Sequence, residues 1–99
     1  MKELLKEINK AFDNKIRLAI MSSLMSNESL TFNQLKRLLG ATDGNLSSNA
    51  TVLEEKEYIV IQKKFVRKKS NTSYTATEKG KNAYKVHVEA LMKIIQNNY

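Results

Sequence analysis

The sequence predicts a mainly helical fold that carries one β-hairpin, and three observations predict it. Apolar residues recur at helical spacing in four short segments before Glu57. The pattern changes after Glu57, where "YIVIQKKFVRKKSNTSYTAT" is rich in β-branched and aromatic residues. Helical spacing then returns from Glu78 to about Gln96, and no proline interrupts it.

Each element has its own justification. Residues 2–12 place Leu4, Leu5, Ile8 and Phe12 among Lys and Glu, as an amphipathic helix does. Asp13 or Asn14 restarts the pattern, with Ile16, Ala19, Ile20 and Leu24 on one stripe of a second helix. Ser26-Asn27-Glu28-Ser29 reads as a loop. Thr31 caps a short helix whose core face is Phe32, Leu35, Leu38 and Leu39, and Gly40 closes it. Thr42 caps the next helix, with Asp43 in its first turn where the helix dipole favours negative charge. Leu46, Ala50 and Leu53 give that helix a narrow apolar face. Strands are expected at about 58–66 and 73–77, with the break at Lys69-Ser70-Asn71, and Thr77 caps the final helix. Two helices joined by a short glycine-containing turn make a helix-turn-helix. With the basic hairpin behind it, the order is that of a winged helix-turn-helix, mainly α with a β-hairpin wing.

The Thr42 helix carries a glycine in its first turn, which costs about 1 kcal/mol relative to alanine and needs a reason. Gly44, Ser48 and Thr51 point away from the apolar face, flanked by Asn45, Ser47 and Asn49. That surface is small, uncharged and rich in hydrogen-bonding groups. Ser and Asn are weak helix formers, and asparagine suits the N6 and N7 atoms of adenine. Gly44 lets the backbone lie close to a neighbour, either the preceding helix or a sugar-phosphate chain.

Composition bounds the function. At 99 residues the chain is long enough for one modest core, and residues 1–99 are read as a single domain. The absence of cysteine excludes disulfides and thiolate metal sites and is compatible with a reducing, cytoplasmic setting. Charges at Lys2, Glu3, Lys6 and Glu7 interrupt any signal peptide, and the run Leu18 to Asn27 is too short to span a bilayer. The expectation is a protein that is neither secreted nor membrane-spanning. Residues 1–57 hold eight basic and eight acidic residues, whereas residues 58–99 hold nine and two, which accounts for the whole net charge of +7. Lys63, Lys64, Arg67, Lys68 and Lys69 occur with no acid between Tyr58 and Thr77. Lysine on an edge strand also blunts aggregation, but five cations beside a helix-turn-helix exceed that need, and phosphate contact is the better reading. Lys36 and Arg37 are further candidates for phosphate contact.

Other chemistry has little support. His87 is the only histidine, so a transition-metal site within one chain is not expected, and a packing or surface role is. Met1, Met21 and Met25 read as start residue and core filler. No phosphate loop, nucleophile–base pair or carboxylate pair points to catalysis, and no cofactor is expected.

The segment "FNQLKRLLGATDGNLSSNATVLEEKEYIVIQKKF", followed by "TSYTATEKG", resembles the small winged helix-turn-helix regulators of the MarR/ArsR-like superfamily. The similarity covers about residues 12–95 and is most specific in "TDGNLS", "LEEKEYI" and "TSYTATEKG". The resemblance implies a transcriptional regulator that binds double-stranded DNA as a homodimer, in the cytoplasm and on the nucleoid, with the Thr42 helix in the major groove. The chain departs from the pattern at Asn49 and Ala50, where His and Leu are usual. It departs again at Glu57, where Gly is usual, and at Ala76, where a larger apolar residue is. The two alanines imply a thinner core under the recognition helix.

The chain ends carry the last expectation. Leu4, Leu5 and Ile8 precede the helix-turn-helix, and Val88, Leu91, Ile94 and Ile95 follow the wing, an apolar set wider than one stripe. Residues 1–12 and 78–99 are therefore expected to pair two subunits. Two alternatives stay open: a winged-helix interaction module without DNA readout, and a non-specific DNA- or RNA-binding architectural protein. The sequence does not identify a small-molecule effector.

Overall fold

A computed structural model describes residues 1–96. Helix α1 (Lys2–Lys6) is followed by a single 3-10 turn (Lys10–Phe12) and α2 (Lys15–Ser26). Strand β1 (Leu30–Thr31) leads directly into α3 (Phe32–Leu39), and α4 (Asp43–Glu55) completes the helix-turn-helix. Strands β2 (Ile59–Val66) and β3 (Lys69–Ala76) form the hairpin, and α5 (Glu78–Gln96) closes the fold. The sheet is antiparallel in the order β1-β3-β2, with Leu30 opposite Tyr74 and Ile59 opposite Ala76.

The caps are where the sequence places them. Asn14 accepts from the Ile16 and Arg17 amides, and Thr42 accepts from the Asn45 amide. Thr31 forms a reciprocal box with Gln34, which satisfies two helix-end donors at once. Gly40 ends α3 in the left-handed region at φ 62°. Thr77 accepts from the Gly80 amide at 2.9 Å and donates to the Glu57 carbonyl at 2.7 Å, tying the start of α5 to the end of α4. Gly80 is buried against Tyr58, and a Cβ there would overlap the Tyr58 carbonyl. The "TEKG" motif thus joins a cap to a close backbone approach.

The core is built from Ile16, Ile20, Met21, Leu24, Leu35, Leu46, Leu53 and Ile59, with Phe12, Leu30 and Tyr74 around them. Ala50 and Ala76, the two positions where the resembled regulators usually carry larger residues, are both buried. Phe12 stacks on Tyr58 with ring centroids 5.6 Å apart and meets His87 edge-on at 5.3 Å.

Three expectations are corrected and one short strand is added. The helix expected over residues 2–12 stops at Lys6. The Asn9 side chain instead caps the 3-10 turn, its backbone N–H donates to His87 Nδ1 at 3.0 Å, and its amide donates to the Tyr58 hydroxyl at 2.9 Å. Tertiary partners win over helix propensity there. The loop expected at residues 26–29 is present from Asn27 to Ser29, and it runs into a short strand that the sequence did not announce, in which Leu30 and Thr31 pair with β3. The hairpin turns at Arg67-Lys68, two residues before the expected break, and both residues have positive φ (52° and 66°) as a two-residue I′ turn requires. Leu38 is not on the core face of α3: it is 63% exposed, whereas Leu35 is fully buried and Phe32 and Leu39 half-buried. Residues 97–99 of the expected terminal segment 78–99 lie outside the described residues.

Candidate nucleic-acid interface

Helix α4 is held against the core by Leu46, Ala50 and Leu53, so its opposite face is turned outward. Thr42, Gly44, Asn45, Ser47, Ser48 and Thr51 are all exposed there. The Thr51 hydroxyl donates to the Ser47 carbonyl at 3.0 Å and the Ser48 hydroxyl to the Asn45 carbonyl at 3.3 Å. Both hydroxyls therefore present lone pairs to the outside. Beyond the adjoining residues and backbone of α4 itself, no atom among the described residues lies within 4 Å of a Cβ built on Gly44. The close neighbour that Gly44 was expected to accommodate is therefore not the preceding helix.

Asn49 is the correction on this face. It is 7% exposed, one step round the helix from the outward surface. Its Oδ1 accepts from Arg17 Nη1 at 2.9 Å, and its Nδ2 donates to the Asn45 carbonyl at 2.8 Å and to Asn45 Oδ1 at 2.9 Å. A polar side chain can be buried when its hydrogen bonds are made within the protein. Arg17 is the residue that sequence reasoning missed: a lone arginine in "KIRLAIM" gives no sign of a partner 32 positions away.

The hairpin stands beside α4. Lys63, Lys64, Arg67, Lys68 and Lys69 are exposed, and none is ion-paired among the described residues. Alternation puts Lys63 and Phe65 on the face that carries Ile61, and Phe65 is 82% exposed. Between α4 and the hairpin lies a cleft of about 590 Å³, lined on the helix side by Ser47, Thr51 and Glu54 and on the strand side by Ile61, Lys63 and Tyr74. Burial, and to a lesser extent the Glu54 carboxylate, raises the Tyr74 phenol above its ordinary value, so it stays protonated. Glu54 and Glu55 occupy the C-terminal end of α4, away from Thr42 and Gly44.

On α3, Lys36 and Arg37 lie in the last turn and border a shallow depression with Asn33, Gly40 and Ala41. Lys36 reaches Asp43 at 2.6 Å, which offsets part of its charge, and Arg37 has no ion-pair partner among the described residues.

The residues expected to pair subunits sit where α1 packs on α5. Leu4, Ile8, Val88, Leu91 and Ile94 are half-buried, whereas Leu5 and Ile95 are 57% and 78% exposed. The buried side of α5 is Gly80, His87 and Ala90. Among the described residues no helix is long and apolar enough to cross a membrane, and no group of side chains is arranged to hold a metal ion.

Comparison with known proteins agrees with this geometry. Residues 16–95 match the family model described as a winged helix DNA-binding domain. An uncharacterized protein of Methanocaldococcus jannaschii is 31% identical over 88 residues, covering 89% of this chain and 96% of that protein. A solved structure described as a transcriptional regulator homologue from Pyrococcus horikoshii is 29% identical, with a TM-score of 0.83 over 95% of this chain and 91% of that one. A chain from Porphyromonas gingivalis assigned to the MarR family shares the fold, with a TM-score of 0.70, 20% identity, and coverage of 90% and 86%. The chain belongs to the winged helix DNA-binding domain family.

Proposed function

We propose that this protein is a sequence-specific transcriptional regulator that binds double-stranded DNA as a homodimer in the cytoplasm, on the nucleoid. The observation that carries the reading is the outward face of α4, uncharged and rich in hydrogen-bonding groups, beside five wing cations that have no acidic partner among the described residues. Neutral polar groups at the centre of a contact read base edges, and cations at its border hold phosphates. Thr42, Gly44, Asn45, Ser47, Ser48 and Thr51 enter the major groove. Lys63, Lys64, Arg67, Lys68 and Lys69 hold the backbone or the minor groove, with Arg37 and the partly neutralised Lys36 on the flanking phosphates. The relative from Pyrococcus horikoshii, described as a transcriptional regulator homologue, supports extending regulation to this chain. The exposed Leu5 and Ile95 support pairing of the terminal helices across a two-fold axis.

The test is the salt dependence of duplex binding by the wild-type protein and by Arg67→Ala/Lys68→Ala/Lys69→Ala. Each lost phosphate contact removes about 0.9 from the slope of log K against log salt. The triple variant should bind all duplexes more weakly and with a flatter slope. A folded triple variant with wild-type affinity and slope would rule out the wing as the anchor.

A further inference from the structure

Arg17 lies on α2, outside the helix-turn-helix, and has no acidic partner among the described residues. Its Nε donates to the Ala11 carbonyl at 2.6 Å, and its Nη1 donates to Asn49 Oδ1. A guanidinium offers only donors, so the Asn49 atom that faces it has to be the amide oxygen. The amino group of Asn49 then points the other way, toward Asn45, where it needs acceptors. It meets two, the Asn45 carbonyl and Asn45 Oδ1. The sense of both amides is thereby set from Arg17 outward. An unrestrained asparagine amide turns over readily and presents its oxygen or its amino group with similar ease. Here one lone pair of the Asn45 oxygen is engaged with a buried neighbour, which turns that oxygen toward Asn49 and leaves the two amino hydrogens as the groups the exposed side chain turns outward.

This restraint changes what the helix reads. The usual pairing of asparagine with adenine requires the amide oxygen to accept from N6 while the amino group donates to N7. Guanine presents two acceptors, N7 and O6, and no donor at that edge. We propose that Arg17 is a positioning residue for base readout: acting through Asn49, it holds the Asn45 amino group outward, so that α4 selects guanine over adenine at one base position. The inference rests on the reading of α4 as the recognition helix and adds the chemical group that the helix reads.

The test compares base preference in duplexes enriched from a random pool by the wild-type protein and by Asn45→Ala, Arg17→Met and Asn49→Asp. Asn45→Ala identifies the position. Asn49→Asp retains the acceptor for Arg17, and so the tie to α2, but loses the donor to Asn45. Wild type should prefer guanine to adenine there by at least about fivefold. Arg17→Met and Asn49→Asp, each checked by thermal melting, should reduce that ratio below about twofold or reverse it, with other positions of the site unchanged. A role in stability alone lowers affinity for every duplex equally and leaves the ratio intact. Folded variants that keep the guanine preference, or a wild-type preference for adenine at that position, overturn the inference and leave DNA binding standing. A wild-type protein that enriches no consensus overturns the specific-readout reading, and the inference falls with it.

Discussion

Glu57 carries a side chain where the backbone asks for none. Its φ of 64° lies in the left-handed region, between the end of α4 and β2, and its carbonyl is held there by the Thr77 hydroxyl. A residue with a Cβ costs roughly 1–2 kcal/mol in that region, and the exposed pair between Glu57 and Lys79 at 3.7 Å offsets little of it. Glu57→Gly should therefore stabilise the fold by on the order of 0.5–1 kcal/mol after the added freedom of the unfolded glycine is counted. Denaturant midpoints of the two proteins check this, and a lower midpoint for the variant would contradict it. His87 is a second position where one residue sets a property. Burial, opposed more weakly by Asp13, lowers its pKa below the ordinary value, and its Nδ1 can accept from the Asn9 amide only while unprotonated. The unfolded chain takes up the proton more readily than the folded one. The contribution of neutral His87 is thus full above about pH 6.5 and is lost as pH falls through the depressed folded value. Between about pH 7.5 and pH 5 the melting temperature of wild type should drop more than that of His87→Gln, whose amide oxygen can accept from Asn9 at any pH. Equal drops would show that His87 is not the group responsible.

At the scale of single elements, Gly44 separates stability from function. Nothing among the described residues needs it, since a Cβ there meets open space and α4 would be a better helix with alanine. Gly44→Ala should raise stability by about 1 kcal/mol and weaken duplex binding, because the added methyl keeps the first turn of α4 away from the groove. A variant that is more stable and binds as well as wild type would remove the reason for the glycine. The same helix shows how far the sequence could be read. Its cap, its apolar stripe and its outward polar face are periodic and local, so Thr42, Leu46, Ala50 and Leu53 announce them. Asn49 is not legible in that way, because its orientation is decided by Arg17 on another helix. Strand β1 is two residues long and finds its partner at Ser73 and Tyr74, too far along the chain for any local pattern to reveal. The hairpin turn was displaced for a chemical reason: Arg67 and Lys68 adopt positive φ without the glycine or asparagine that normally marks such a turn. That conformation puts two cations at the tip of the wing.

At the scale of the molecule, the chain is elongated, with extents of 58 × 25 × 21 Å, because the wing and the terminal helices reach beyond the core. Packing of α1 on α5 leaves Leu5 and Ile95 exposed, together with Met92 at 51%, which neighbours Ile95 around the helix. A second copy is the simplest cover for such a face, since most soluble homo-oligomers are two-fold dimers. The mass of the wild-type protein in solution should be that of a dimer. Leu5→Glu/Ile95→Glu, which replaces only exposed side chains, should be a folded monomer that binds DNA weakly. A monomeric wild type would refute the pairing. A two-fold of this kind would set two copies of α4 against half-sites about one helical turn apart, or a multiple of that spacing. Enrichment of bound duplexes from a random DNA pool, carried out with the wild-type protein at two salt concentrations, therefore tests the central claim most directly. The expected result is an inverted repeat of two half-sites, enriched at both salts and more sharply at the higher one, where backbone contacts count for less. Salt-sensitive binding with no consensus at either concentration, or no binding at all, would contradict the assignment of sequence-specific readout to α4.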